Sequence, residues 1–225
     1  YGIAWASNWQ YAAFAPTHPW RSSMSITRKL YLKDHQPNPE TTLLTLVSEP
    51  IVNWSHLKIQ NAVNKGNFAL SKENPLVFKC KQPNSLLSFK VSWKLTAVEL
   101  SLTEQTNWTL NFTSSYGRDE FISLGYDPTA SACFINRGNC NEPFVKENPF
   151  FTDKMSCYLE PVNGVFNLCG ILDKNILELF FNDSTTTSTN TVFLSKGNTI
   201  SDVELTTSKD GVFEIVNIEI EELTL

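Results

Sequence analysis

The chain has 225 residues, enough to bury a sizeable core and to fit one full domain plus a remnant of another. A formal net charge of -5 without acidic or basic runs argues against nucleic acid or an anionic membrane as partner. No apolar run approaches the ~20 residues that cross a bilayer, and the absence of an initiator Met or signal peptide reads as a processed or truncated protein. Phe is the commonest aromatic and Thr, Ser, Asn, Val and Leu are plentiful, while no amphipathic segment of helical length occurs, so the composition is β-rich.

Residues 3–14 and 22–32 read as two strands joined by a turn that includes Pro16 and Pro19, a β-hairpin from a larger sheet. On an extended segment Trp5, Trp9 and Tyr11 share one parity and Asn8 and Gln10 the other. Such a strand suits a sugar, whose C–H faces stack on rings and whose hydroxyls satisfy amides. It equally suits an aromatic strand that packs a core. Residues 34–42 contain Pro37 and Pro39, each of which removes a backbone donor and restrains the residue before it, and read as an interdomain linker. A new set of strands then begins at 43–47.

The clearest strand is 87–99, where Phe89, Val91, Trp93, Leu95 and Ala97 alternate with Ser88, Lys90, Ser92, Lys94 and Thr96. One apolar and one polar face is the pattern of an antiparallel sheet in a sandwich. Further strands are predicted at 108–113, 121–126, 133–136, 164–171, 176–182, 191–194, 203–206 and 212–220, with turn residues between them at short intervals. In the last of these the apolar parity changes after Ile215, which a β-bulge or a strand buried on both faces would each explain.

Cys80, Cys133, Cys140, Cys157 and Cys169 are odd in number, so at least one is unpaired unless it bonds outside the chain. Cys133 and Cys140 flank an Asn-Arg-Gly-Asn turn and could face each other across a hairpin. None shows Cys-x-x-Cys spacing, and His18, His35 and His56 are isolated, so no metal site is expected. Four sequons, at Asn53, Asn107, Asn111 and Asn182, point to the secretory route. Asn107 and Asn111 would share the polar face of one strand, opposite Trp108, Leu110 and Phe112.

Trp-Ala-Ser-Asn-Trp-Gln-Tyr at 5–11, Pro-Trp-Arg-Ser-Ser-Met-Ser at 19–25 and the basic pair Arg28-Lys29 resemble the last propeller blade of the yeast invertases, the β-fructofuranosidases of glycoside hydrolase family 32. Residues 144–156 and 172–183 resemble segments of the same enzymes' C-terminal sandwich. The resemblance implies an all-β chain, an antiparallel β-sandwich preceded by a terminal hairpin of a five-bladed β-propeller. Residues 1–33 would then be the last propeller strands, 34–42 the linker and 43–225 the sandwich. It implies a secreted protein, extracellular or held in the cell wall or periplasmic space. It also implies sucrose or other fructosides as substrates of the complete enzyme, no cofactor, and a homo-oligomer formed through the sandwich. Trp9 is the one position that matches a residue lining the fructose pocket; Trp5 could be core, and Asn8 and Gln10 could stabilise the blade.

Retaining glycosidases need two carboxylates ~5–5.5 Å apart. The family supplies them from a Trp-Met-Asn-Asp-Pro-Asn motif and a Glu-Cys motif, supported by Arg-Asp-Pro, and none of the three occurs here. Arg118-Asp119 continues into Glu120 instead of Pro and reads as a solvated loop; Glu147 and Glu178 read as structural. No catalytic residue is therefore assigned to this chain. A self-standing carbohydrate-binding sandwich without hydrolysis is the competing reading, and an orphan hairpin ahead of a Pro-rich stretch argues against it.

Overall fold

A computed structural model of the chain describes residues 1–17, 23–38, 40–83, 85–96, 105–115 and 117–225. His18, the turn at Pro19, the 97–99 end of one predicted strand and Pro39 lie outside the described residues. In chain order the elements are β1 (Arg28–Asn38), β2 (Thr41–Pro50), β3 (Lys58–Ala69), β4 (Leu76–Lys79), β5 (Leu86–Leu95), β6 (Trp108–Ser114) and β7 (Gly117–Asp127). They continue with β8 (Ala132–Asn136), α1 (Glu142–Glu147), β9 (Lys154–Tyr158), β10 (Phe166–Asp173), β11 (Ile176–Phe181), β12 (Thr186–Thr191), β13 (Ile200–Thr207) and β14 (Phe213–Thr224).

Twelve of these strands form two six-stranded antiparallel sheets, in the orders β12-β11-β10-β5-β14-β3 and β4-β13-β6-β7-β8-β9. Their apolar faces close on one core, the arrangement of a β-sandwich. The alternation in β5 sets the pattern. Phe89, Val91 and Trp93 are fully buried, while Lys90 and Lys94 turn outward to face their cross-strand partners Glu219 and Glu214 at 3.1 and 3.4 Å. Trp93 lies parallel to Phe166 at 5.1 Å and edge-on to Trp108 of the opposite sheet at 4.8 Å, so one indole ties the two layers together. Gly170 keeps β10 flush against β5: a Cβ there would lie 2.0 Å from the Phe89 ring.

The parity change in β14 is a bulge. Ile215 pairs with Trp93 and Asn217 with Ser92, so Val216 is extra and every residue after it switches face. The Asn163-Gly164 turn has both residues at positive φ, 51° and 76°, as a two-residue hairpin loop demands.

Several expectations are corrected. The predicted strand at 191–194 ends at Thr191, because Thr191 pairs with Ile176, the first residue of β11, and among the described residues no partner strand lies beyond it. Arg118-Asp119 is not a loop. Ser114 already pairs with Gly117 and Thr113 with Phe121, so residues 118–120 belong to β7 as a bulge between two rungs of the β6–β7 ladder. Cys133 does not face Cys140: the Cys140 thiol donates to the carbonyl of Phe121 at 3.3 Å. Residues 34–42 carry strand pairing, since β1 and β2 pair from Arg28 and Pro50 out to Asn38 and Thr41. Proline's missing donor shows there as a slip in register between His35 and Asn38. The strand beginning near residue 43 joins β1 in a separate two-stranded sheet and neither sandwich sheet.

Glu120, buried in β7, fixes the loop that leads into β13. Its carboxylate accepts from the amides of Ser195 at 2.7 Å and Asn141 at 3.1 Å and from the Asn198 side chain. Burial alone would raise its pKa, but these donors outweigh it and leave the carboxyl below its ordinary value of 4.5. A depressed folded pKa stabilises the fold above the unfolded value and is lost as pH falls through the folded one. Glu120→Gln should therefore cost stability at neutral pH and little in strong acid, so that the wild-type and variant Tm curves converge on acidification.

Candidate functional site

The aromatic segment at the N-terminus is where the sequence places ligand contacts. Among the described residues its two predicted strands meet at two bridges, Gly2 with Arg28 and Trp5 with Met24, with backbone hydrogen bonds from Ala6 to Ser23 and from Ser25 to Ala4 beside them. The first strand stops at Asn8, whose side chain accepts from the Gln10 amide at 2.9 Å and whose carbonyl accepts from Ala12 at 2.8 Å. An Asx turn of this kind offers the backbone a partner inside the segment, and a short 3-10 turn, Ala12–Phe14, follows.

The turn undoes the shared parity of the aromatic residues. Trp9 stands at its tip with 86% of its surface exposed, whereas Tyr11 is 5% exposed and Trp5 is half-buried. Trp5 backs Trp9 edge-on, with ring centroids 4.8 Å apart. Asn8 and Gln10 serve the turn itself: their side-chain amides lie 3.4 Å apart. Beside them Gly2, Ile3, Trp5, Ser25 and Arg28 help to line a cleft of 410 Å³.

Two anchors hold this segment to the sandwich, and sequence reasoning found neither. The first is Tyr11. It packs edge-on to Phe151 at 5.1 Å in a small second core with Ala15, Phe144 and Phe193, and its hydroxyl lies 3.1 Å from that of Thr191. Arg137, 4% exposed, lies 3.8 Å from the centre of the Phe151 ring and donates to the carbonyls of Thr191 and Thr152 at 2.5 and 2.9 Å. Burial lowers the pKa of this guanidinium, offset in part by Tyr11. The α1 helix that presents Phe144 begins with Pro143 in its first turn and is braced by a Glu142–Lys146 ion pair at 2.7 Å.

The second anchor is Arg28 on Glu178. Glu178 is 1% exposed in β11; its carboxylate meets the Arg28 guanidinium at 2.5 Å and accepts from the Ile26 amide. Arg28 also donates to Thr187 at 3.0 Å and Thr189 at 2.5 Å in β12, and lies over the Phe180 ring at 5.0 Å. A carboxylate inside the run Leu177-Glu-Leu-Phe-Phe181 was the available signal, because a charge so placed must find a partner. Glu147, by contrast, is exposed on α1, as is Asp119 on β7.

The sequons divide by accessibility. Asn53 is exposed in the loop after β2, and Asn111 is half-buried on the outer face of β6. Asn107 precedes β6 instead of belonging to its polar face and is 8% exposed. Asn182 is 6% exposed with its side-chain amide donated to the carbonyl of Glu160 at 2.6 Å.

Removing one member of a buried ion pair leaves the other uncompensated, which costs about 3–5 kcal/mol. Glu178→Leu should lower stability by that order, and Arg28→Met combined with it should recover much of the loss; chemical denaturation of the single and double variants measures both. Trp9→Ala, at an exposed tip, should stay within about 0.5 kcal/mol of wild type in the same assay.

Comparison with known proteins carries these features into a family. The profile "Glycosyl hydrolases family 32 C terminal" matches residues 55–222. Invertase 2 of Saccharomyces cerevisiae is 39% identical over 99% of this chain and 43% of its own length. An extracellular exo-inulinase of Meyerozyma guilliermondii is 38% identical over 100% of this chain and 42% of its own. The structure of β-fructofuranosidase from Schwanniomyces occidentalis complexed with fructosyl-erythritol superposes with a TM-score of 0.89 at 35% identity, covering 99% of this chain and 44% of that one. The chain thus spans less than half the length of these relatives, and it belongs to glycoside hydrolase family 32, whose C-terminal β-sandwich makes up most of it.

Proposed function

We propose that this chain is the C-terminal part of a secreted, invertase-like β-fructofuranosidase that hydrolyses terminal β-fructofuranosides such as sucrose. The observation that carries the reading is that similarity to invertases runs through 99% of the chain, including the aromatic segment ahead of the sandwich. In this reading residues 1–33 complete the last blade of the catalytic propeller. Leu30, Leu32, Leu43, Leu44 and Leu46 are largely exposed on β1 and β2, and a two-stranded ribbon with such a surface is not stable alone. Their exposure supports a partner layer within the parent and weighs against a self-standing module.

In the complete enzyme a carboxylate outside this chain attacks the anomeric carbon of the fructosyl unit, and an acid protonates the leaving oxygen. Trp9 contributes a stacking wall to the fructosyl pocket. Secretion is consistent with a relative that is itself extracellular, and Asn53 and Asn111 are the sequons whose exposure suits a glycan. The parent should release glucose from sucrose while residues 1–225 alone should not. Within the parent Trp9→Ala should lower kcat/KM about tenfold, a loss of ~1.4 kcal/mol of transition-state stabilisation. An unchanged kcat/KM would remove Trp9 from the pocket.

Assembly belongs to the same reading. β3, β4 and β9 are terminal strands of the two sheets, and open edges serve readily for pairing with a second copy. The parent is expected to be a homo-oligomer through the sandwich. Light scattering on the deglycosylated parent should give at least a dimer, and deletion of residues 55–225 from a still-folded propeller should give a monomer.

A further inference from the structure

Cys133 and Cys157 are direct cross-strand partners in β8 and β9, so their side chains leave the sheet on the same face. Both thiols contribute to the sandwich core, Cys133 at 4% exposure and Cys157 half-buried beside it. The hydrogen bond from the Leu159 amide to the Ser131 carbonyl, 2.9 Å, fixes the alternation of this ladder and makes 133 and 157 a hydrogen-bonded pair. Such a pair has Cα atoms about 5.5 Å apart, within the range of ~4.4–6.8 Å that a disulfide spans. Its Cβ atoms must draw together slightly, and β9 can move to allow it because it ends its sheet, with no further strand beside it among the described residues. The other cysteines are placed elsewhere. Cys140 donates to Phe121, Cys80 follows β4 at the opposite edge of the same sheet, and Cys169 is exposed on β10 of the other sheet.

We propose that Cys133 and Cys157 form a disulfide that staples the edge strand β9 to β8 and closes the loop of residues 134–156. The bond forms by exchange with a low-molecular-weight disulfide such as oxidised glutathione. The Cys157 thiolate, the more accessible of the two, attacks one glutathione sulfur and expels the first thiolate. Cys133, deprotonated, then attacks the Cys157 sulfur of the mixed disulfide and expels the second. Two protein thiols lose two protons and two electrons, and one glutathione disulfide becomes two glutathione thiols. Burial raises both thiols above their ordinary pKa of 9.0, and Cys133 is raised further by its neighbour Cys157, so formation should be slow at neutral pH and faster in mild alkali.

The closed loop is the one that grips the aromatic segment. It contains Arg137, Phe144 and Phe151, the partners of Tyr11, so the staple would restrict the unfolded freedom of the platform that holds Trp9 in place.

The test is made on the native full-length parent equilibrated with oxidised glutathione, blocked with N-ethylmaleimide, digested and mapped without reduction. A linked peptide containing Cys133 and Cys157, lighter by two hydrogens than its separate parts, is expected. Dithiothreitol should then lower the Tm of wild type by several degrees and leave that of Cys157→Ser unmoved. Recovery of both cysteines as maleimide or glutathione adducts, or linkage of either to another cysteine, overturns the proposal; the mapping needs no variant, so a poorly folding substitution does not affect it.

Discussion

The contact on which the arrangement of this chain depends is the buried ion pair between Arg28 and Glu178. Taking two charges out of water costs several kcal/mol each, and their mutual attraction offsets this only when the remaining donors and acceptors are also met. Here most are. Glu178 receives the Ile26 amide as well as the guanidinium, and Arg28 reaches Thr187 and Thr189 on the neighbouring strand. Among the described residues only Arg28 Nε lacks a partner in this group. Nonspecific apolar burial could hold the N-terminal segment against the sandwich in many registers. A buried guanidinium whose acceptors sit on β11 and β12 holds it in one, and the amide of Ile26 joins only when the chain before Arg28 follows the observed course.

The sandwich was legible wherever a strand is covered on one face and wet on the other. β5 and β6 show this in Phe89, Val91 and Trp93 and in Trp108, Leu110 and Phe112, all of them buried as their parity requires. Strands at the margins do not have to alternate. β3 is an edge strand with Asn64, Lys65, Gly66 and Asn67 exposed in succession, and β12 is a run of Thr, Ser and Asn whose neighbours are strand β11 and the N-terminal piece. Neither gives a period of two. The β1–β2 hairpin failed for a different reason: Pro37 carries a strong turn signal, yet it lies at the far end of a ribbon where a lost donor costs one rung and no more.

At the site, residue identity was legible without orientation. The parity argument treated residues 3–14 as extended, and a single Asn was enough to defeat it, because Asn8 can satisfy the Gln10 amide with its own side chain. Once the chain turns there, neighbours two apart no longer share a face, and Trp9 and Tyr11 take opposite roles: one exposed, one locked into a core. The anchors were hidden because each is assembled from distant segments. Tyr11 needs Phe144, Phe151 and Phe193, and Arg28 needs Glu178, separations that no local pattern encodes.

These anchors give the sandwich a mechanical part in the placement of the aromatic segment. Tyr11 follows Trp9 by two residues, and the bridge between Trp5 and Met24 lies a few residues from Arg28, so the exposed indole is held from both sides by groups rooted in the sandwich. The proposed role of Trp9 as a stacking wall requires that the indole stay where the sugar ring arrives, since about an ångström of drift removes the contact and its contribution to orientation. A turn of three residues at the N-terminus of this chain could not fix an indole by itself. The second core beneath Tyr11 and the ion pair beneath Ile26 can, because each is buried, each is hydrogen-bonded, and each acts on the backbone within a few residues of Trp9 or its bridging strand. A domain that holds none of the family's catalytic motifs thereby sets the course of the aromatic segment ahead of it.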